Sequence, residues 1–215
     1  MAKPQDPESA ARRDSYHHGN LTAALIEAAI GIIAERGVED LSVREVAKRA
    51  GVSPGAPFRH FASKTALLTA VAEQTTDLFA DSVELALAGW PEGDPAGALR
   101  RIGQAYLDWA IGNPVSFKII SSRELIDYSG SHRMVDRNDD LRATMRLWIE
   151  RARTQGFLRT ELDTEVVLLN CRAFVYGLAR MWCDGHMAEW AGRASPAQAM
   201  RRGLDAFIEG LLRPA

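Results

Sequence analysis

Residues 41–64, with the sequence LSVREVAKRAGVSPGAPFRHFASK, constrain the fold most, because they predict two short helices joined by a tight turn. Ser42, followed three positions later by Glu45, is a capping-box pattern, so a helix is expected to begin at Val43. Apolar residues at helical spacing follow it. Gly51 stands where this helix must end, because glycine adopts the positive φ of a helix C-terminus without strain.

A second short helix is predicted after the turn. Ser53 can cap it, and Pro54 suits its first position, where a missing N–H costs nothing, so the helix should run to about Phe61. Ser63 is then the expected cap of a third, longer helix. A small residue at Ala47, a glycine four positions later and a short second helix form a helix-turn-helix pattern, whose second helix would lie in the DNA major groove.

The run from Tyr16 to Leu68 resembles the DNA-binding domain of the TetR family of bacterial one-component transcriptional regulators. Three segments carry the resemblance: AERG at the end of the first helix, the core LSxREVAxxAGVS, and the exit FxSKxxLL. The rest of the chain resembles the family only in being helical and of suitable length. The resemblance implies an all-α protein, with an N-terminal three-helix DNA-binding domain containing a helix-turn-helix and a C-terminal helical ligand-binding and dimerisation domain.

The chain is accordingly divided into three parts. Residues 1–15 are expected to be a disordered tail, because they carry prolines and mixed charges without periodicity. Residues 16–70 form the DNA-binding domain, with the motif at about 42–61, and residues 71–215 form the ligand-binding and dimerisation domain. Within this frame, helices are predicted from the Asn20 cap to Gly37, from Lys64 to about Gly89, from Asp94 to Asn113, from about Asp139 to Gln155, from Thr164 onward, and from the capping box at Ser195.

Composition excludes some classes of protein and favours others. The chain of 215 residues is 47% hydrophobic and 25% charged, which is ordinary for a globular protein. Its formal charge of −2 means that any DNA affinity comes from local placement of cations. Cys171 and Cys183 lie in one predicted helix, roughly 18 Å apart, beyond disulfide reach. Buried thiols, no signal peptide and no apolar run of membrane-spanning length predict a cytoplasmic protein with no membrane partner.

The residues expected to meet DNA follow from the motif and from the resemblance. Arg44 can hold guanine with two hydrogen bonds, although a surface ion pair with a carboxylate is the alternative. Phe58 stands where the family commonly has a phosphate-binding tyrosine, so it is either at the DNA or in the core, and Pro57 stands where the family usually has leucine. The predicted DNA-binding residues are Ser42, Arg44, Ser53, Pro54, Gly55, Ala56, Phe58, Arg59, His60 and Lys64.

Two further surfaces are predicted in the second domain. The resemblance implies a pocket for a small effector, and its expected lining is aromatic and mostly apolar: Tyr106, Trp109, Phe117, Tyr128, Met145, Trp148, Phe174, Tyr176 and Met181. The two apolar C-terminal helices suggest a four-helix interface with a second copy. The expected interface residues are Val167, Phe174, Met200, Leu204, Phe207, Ile208 and Leu211.

Together these patterns predict a sequence-specific transcriptional regulator, a homodimeric repressor that a small hydrophobic ligand releases from a palindromic operator in double-stranded DNA. The alternative is a constitutive DNA-binding regulator without an effector. A helical-bundle enzyme is disfavoured, because the sequence contains no nucleophile elbow, no glycine-rich phosphate loop and no zinc-ligand spacing. No cofactor and no metal are expected, since Cys183 and His186 form only an isolated pair.

Overall fold

The computed structural model describes residues 7–159 and 161–212, and the side chains from residue 21 onward. Within these ranges the protein is all-α, as predicted, and β-pairing is limited to one isolated bridge between Leu158 and Leu212. Two 3₁₀ turns, Pro57–Arg59 and Arg123–Leu125, interrupt the series. The α-helices are α1 (Pro7–Arg36), α2 (Val43–Arg49), α3 (Lys64–Leu87), α4 (Pro95–Gly112), α5 (Pro114–Ser121), α6 (His132–Thr154), α7 (Thr164–Cys183), α8 (Met187–Trp190) and α9 (Pro196–Leu211).

Helix α1 begins earlier than the sequence patterns predict. The expected tail of residues 1–15 lies partly outside the described residues, at 1–6, but the helix already begins at Pro7 and not after Asn20. Proline is tolerated at a first helical position, and the alanines and arginines that follow it are favourable helix formers. The expectation of disorder therefore fails from Pro7 onward.

Capping residues explain most of the other boundaries. Helix α3 begins after Ser63, whose hydroxyl accepts a hydrogen bond of 3.0 Å from the Ala66 N–H, and α9 begins with the predicted capping box at Ser195. Helix α6 begins at His132, seven positions before the predicted start at Asp139, because Ser131 caps it. Helix α7 is capped by Asp163 and not by Thr164. The short helix α8 was not predicted.

The buried residues form two apolar clusters. The first joins α1 and α2 to the first half of α3, with Leu25, Val46 and Leu67 at its centre, and it also receives Ile119 from α5 and Ile126. The predicted DNA-binding unit, formed by α1, α2 and the first half of α3, is therefore packed on α5 and on the segment after it, as well as on its own helices.

The second cluster fills the C-terminal body. It joins the second half of α3 to α4, α6, α7 and α9, with Phe79 of α3, Phe117 and Ile149 deep inside. Helix α3 thus belongs to both clusters, the first through Leu67 and the second through Phe79. Helix α3 therefore connects the two clusters directly.

Helix α7 is apolar enough and long enough, at 20 residues, to meet a membrane-span criterion based on length and composition alone. This differs from the expectation that no apolar run approaches that length. Only 28% of the stretch that meets the criterion is buried inside the protein. Its buried residues, including Val167 and Val175, pack in the second cluster, so α7 contacts the core along one side and leaves apolar residues such as Leu169 exposed on the other.

Candidate functional site

The segment after α2 is a series of turns and not the predicted α-helix. The Ala56 N–H donates to the Ser53 carbonyl at 3.0 Å, which closes one turn, and the 3₁₀ turn Pro57–Arg59 follows. The N–H groups of His60 and Phe61 then both donate to the Pro57 carbonyl, at 2.9 and 2.8 Å. An α-helix would need residue 57 to donate to the Ser53 carbonyl, and proline has no N–H. Pro57 therefore prevents the first α-helical turn.

The same segment exposes a continuous set of residues. Ser53, Pro54, Gly55 and Arg59 are exposed, and Phe58 is 51% exposed. Within the same segment, Pro57 and Phe61 are buried and Ala56 is half-buried. The alternative that Phe58 belongs to the core is thus wrong, because Pro57 occupies the inward position.

Helix α2 matches its predicted bounds and presents Arg44 to solvent. The Ser42 hydroxyl accepts from the Glu45 N–H at 3.2 Å, but the Glu45 carboxylate pairs with Arg36 and not with the cap, so only half of the predicted capping box forms. Among the described residues, Arg44 makes no ion pair. Gly51, with φ of 71°, ends the helix as expected.

A second arginine of α2 is used to hold the unit together. Both terminal nitrogens of Arg49 donate to the Glu35 carboxylate of α1 at 2.7 Å, which keeps the pKa of Glu35 below its usual value. The guanidinium lies against Gly31, 2.7 Å from where a Cβ would stand. A side chain at position 31 would therefore collide with the guanidinium of Arg49.

Two of the predicted DNA-binding residues, His60 and Lys64, face α1 and the loop after it. The Lys64 ammonium donates to the carbonyl oxygens of Val38 and Glu39, at 2.5 and 3.3 Å. His60 Nδ1 lies 3.3 Å from the Thr22 hydroxyl. An ammonium group has three donors, so Lys64 retains one beyond these two contacts.

The C-terminal body contains an open cavity between α3, α4, α5, α6 and α7, with an empty volume of about 680 Å³ that includes some open solvent. Four of the predicted pocket residues line it: Tyr106, Phe117, Tyr128 and Tyr176. A neighbouring cavity of about 440 Å³, counted in the same way, is lined by the predicted Met145. Both cavities are lined mainly by apolar and aromatic side chains, as small-molecule sites are.

The other four predicted pocket residues do not line either cavity. Trp109 and Trp148 are buried in the second cluster, where Trp109 packs against the rings of Phe79 and Phe117. Phe174 faces α9, and Met181 lies beside the second cluster. Aromatic side chains on the inner face of a helix bundle fill the core as readily as they line a pocket, and the sequence does not distinguish the two.

Sequence patterns missed the arginines of the cavity. Arg172 donates to the Tyr106 hydroxyl at 2.6 Å, and its guanidinium lies over the Tyr106 and Tyr176 rings. Arg123 stacks on Tyr128 with 3.3 Å between the guanidinium carbon and the ring centroid. Burial raises the pKa of the Tyr106 hydroxyl, and Arg172 opposes that shift. One signal was available, since Arg172 lies in the middle of α7, a long and mostly apolar helix.

Most predicted interface residues lie in the protomer's own core. Val167, Met200, Leu204, Ile208 and Leu211 are all buried in a single copy, which leaves little of them to contact a second copy. The apolar stripes of α7 and α9 that suggested an interface are the stripes that pack on α4. Only Phe174 and Phe207 are half-exposed.

Comparison with known proteins identifies the first domain. The family model for bacterial regulatory proteins of the tetR family matches residues 25–71. The HTH-type transcriptional regulator BetI of Yersinia pestis (strain Pestoides F) is 33% identical over 94 residues, which are 44% of this chain and 48% of that protein. The chain thus spans about half the length of the curated relatives it matches.

Solved structures extend the likeness to the whole fold. A protein with unknown function from Rhodococcus sp. RHA1 superimposes with a TM-score of 0.75 at 23% identity, covering 92% of this chain and 98% of that one. A TetR family transcriptional regulator, PfmR from Thermus thermophilus, gives a TM-score of 0.69 at 22% identity, covering 88% and 99%. The shared fold therefore includes the C-terminal helical body as well as the first domain.

Proposed function

The chain belongs to the TetR family of bacterial regulatory proteins, and we propose that it is a cytoplasmic, DNA-binding repressor that a small ligand releases from a palindromic operator. One observation supports this function above others. A single helix, α3, carries Leu67 in the core of the DNA-binding unit and Phe79 in the wall of the cavity. The two sites are therefore joined by one rigid element.

DNA binding rests on the exposed face formed by α2 and the turns after it. Arg44 is exposed without an ion pair among the described residues, so it is available to a guanine edge. Arg59 is also exposed, whereas Lys64 and His60 contact α1 and its loop, which makes them better suited to position the unit. Ser53, Pro54 and Gly55 allow close approach of the backbone to DNA.

Dimerisation rests on the open face of α7 and the adjacent side of α9. Val166 and Leu169 are 48% and 65% exposed on α7, and both are too apolar to favour solvent. Small residues continue the face, because Ala173 of α7 and Ala206 of α9 are exposed. We place the interface on this face, in contrast to the buried residues predicted from the sequence. Two copies would carry two DNA-binding units and favour a palindrome with half-sites ~34–36 Å apart or a multiple of it.

Release would follow from the position of the cavity. Thr76, Phe79 and Ala80 of α3 line it, so a ligand there contacts the helix that supports the DNA-binding unit. A ligand changes DNA affinity only if it binds one arrangement of α3 better than the other. A constitutive regulator would keep the DNA-binding face and use no ligand, but the open cavity favours the ligand-responsive form.

The test uses the full chain and the DNA upstream of its own gene. Footprinting is expected to protect two symmetric half-sites, with one dimer bound per site. Protection of a single asymmetric site would contradict the palindromic dimer, and absence of binding at low salt would contradict the function itself. A thermal-shift screen of small apolar molecules, followed by footprinting with each stabilising compound, tests release. Stabilisation without loss of protection would favour the constitutive regulator.

A further inference from the structure

The charged groups around the larger cavity are all of one sign. Its lining contains Arg123, Arg137 and Arg172, and no Asp or Glu belongs to it among the described residues. Arg137 is already compensated, because its Nε donates to Asp77 at 3.1 Å and its other nitrogens approach Asp81 and Glu84. Two cations therefore remain for whatever enters the cavity.

Neither of these two arginines has a carboxylate partner among the residues that the structure describes. Arg172 contacts the Tyr106 hydroxyl and two tyrosine rings, and Arg123 contacts the Tyr128 ring. Glu165 shares a neighbouring groove with Arg172, but Arg142 and Arg146 already bind its carboxylate at 3.1 and 2.6 Å. A guanidinium beside apolar surface gains from an anion that accepts two of its hydrogen bonds.

The polar and apolar parts of the cavity are separated. Both arginines are exposed, so they stand where the cavity meets solvent. The interior is formed by rings and aliphatic side chains, among them Phe79, Phe117 and Leu141. The neighbouring cavity shares Phe79, Tyr106, Leu141 and Arg172 with the first, which extends the apolar space toward Leu204 and Phe207 of α9.

We propose that the effector is an amphipathic anion: a slim apolar chain that fills the two cavities, ending in one carboxylate or phosphate group held by Arg172, with Arg123 as the second cation. This inference rests on the proposed ligand response and specifies its chemistry. The free space inside the two cavities is much smaller than their empty volumes, which include open solvent, so a flexible chain fits it better than a bulky ring system. The carboxylate and phosphate forms share the same recognition by arginine.

The anion would act on α3 through the segment that carries Arg123. That segment is bonded to the first half of α3 at two points. The Asp127 N–H donates to the Thr69 hydroxyl at 2.9 Å, and the Ser131 hydroxyl donates to the Glu73 carboxylate at 2.6 Å. A shift of Arg123 toward a bound anion therefore pulls on the part of α3 that packs in the DNA-binding unit.

The test compares three ligands with the same ten-carbon chain: decanoate, decyl phosphate and decanol, each below its micelle concentration. Calorimetric titration of the full-length protein is expected to show that at least one of the two anions binds about tenfold to a hundredfold tighter than the alcohol, the range of a charge-assisted hydrogen bond. The tighter anion identifies the head group. Equal binding of all three, or binding of none, would overturn the proposal.

Substitutions test whether Arg172 causes the preference for the anion over the alcohol. Arg172→Gln is expected to reduce the ratio of anion to alcohol affinity to near one, and Arg172→Lys, which keeps the charge without the bidentate geometry, to retain part of it. Arg193→Gln removes an exposed arginine that does not line either cavity and should leave the ratio unchanged. A ratio that persists in Arg172→Gln would contradict the assignment.

A parallel footprint separates this inference from the proposed function. Anion binding with unchanged DNA protection would uphold the head-group assignment and contradict ligand release. Release of DNA by decanol as readily as by the anions would uphold ligand release and overturn the assignment.

Discussion

The rings of Phe174 and Phe207 are stacked face to face, with centroids 4.3 Å apart and only 7° between their planes. This contact joins α7 to α9 through two half-exposed side chains. The two helices therefore present one rigid face, with Ala173 and Ala206 exposed beside the rings. The predictions about assembly start from this face.

Ala206→Glu is expected to convert the proposed dimer into monomers. The substitution places a charge on the exposed side of α9 and would have to bury it, unpaired, between two copies. Sedimentation velocity would show the change. Ala143→Glu is the matched control, because Ala143 is exposed on α6 and its substitution should leave the dimer intact. A variant Ala206→Glu that remains dimeric would exclude this face.

Leu204→Glu is expected to destabilise the fold itself. Leu204 is buried, and its methyl groups lie 2.8 and 3.0 Å from the position of a Cβ on Gly103, so α9 and α4 are in close contact there. The free energy of unfolding should fall by at least as much as for a leucine-to-alanine truncation in a core, which costs about 2–5 kcal/mol. Urea unfolding at fixed protein concentration measures it. A Leu204→Glu variant that is folded, stable and monomeric would instead indicate that Leu204 belongs to the dimer interface.

Arg44→Ala should weaken operator binding by about 1–3 kcal/mol per half-site and relax the preference at one base pair. The reason is that Arg44 is exposed without an ion pair among the described residues, so its removal frees no buried partner and should spare the fold. Binding titrations on specific and scrambled DNA test both effects. Arg193→Ala removes an equal charge elsewhere on the surface, and equal losses in the two variants would refute base reading by Arg44.

Pro57→Leu is expected to turn the segment from Ser53 to Phe61 into an α-helix. The regained N–H can donate to the Ser53 carbonyl, a hydrogen bond worth about 0.5–1.5 kcal/mol. Hydrogen exchange should then slow across the segment, and operator affinity should change with it. Pro54→Leu provides the control, since an N–H at that first position has no helical carbonyl to reach. Unchanged exchange in Pro57→Leu would show that other residues enforce the turns.

Stability should fall in alkali because of a buried thiol. Burial raises the pKa of Cys171 to about 11 from an ordinary 9.0, so the folded protein holds this proton more tightly than the unfolded chain does. The resulting stabilisation is complete below pH 9 and is lost as the pH rises toward 11, at about 1.4 kcal/mol per pH unit. Unfolding of wild type and Cys171→Ala at pH 8 and pH 10.5 isolates the effect. An equal fall in the free energy of unfolding of wild type and Cys171→Ala between the two pH values would contradict a role for this thiol.

Local signals in the sequence predicted the elements that depend on local chemistry. Ser63 and Ser195 cap helices where expected, and Gly51 ends α2, because each effect involves residues only a few positions apart. The turns after α2 were mispredicted for an equally local reason. Pro57 was recognised as unusual, but its missing N–H removes the only donor that could begin an α-helical turn from Ser53.

The lining of the cavity and the open face of α7 could not be predicted in the same way. Trp148 and Tyr176 look equivalent in an apolar helical pattern, yet one fills the core and the other lines the cavity. That distinction depends on which helices pack together, at separations of sixty residues or more, such as the contact of Arg172 with Tyr106. Leu204 was misassigned because its apolar stripe indicates burial without indicating the partner.

Because α3 belongs to both apolar clusters, the DNA-binding unit cannot be exchanged between proteins independently of the body. A chimera that receives the first 70 residues of another protein also needs surfaces that match Ile119 and Ile126, because these residues of the body complete the first core. Grafting the DNA-binding unit alone would leave mismatched side chains where it packs on the body. Exchange of DNA specificity by recombination should therefore succeed when the loop around Ile126 is transferred together with the DNA-binding unit.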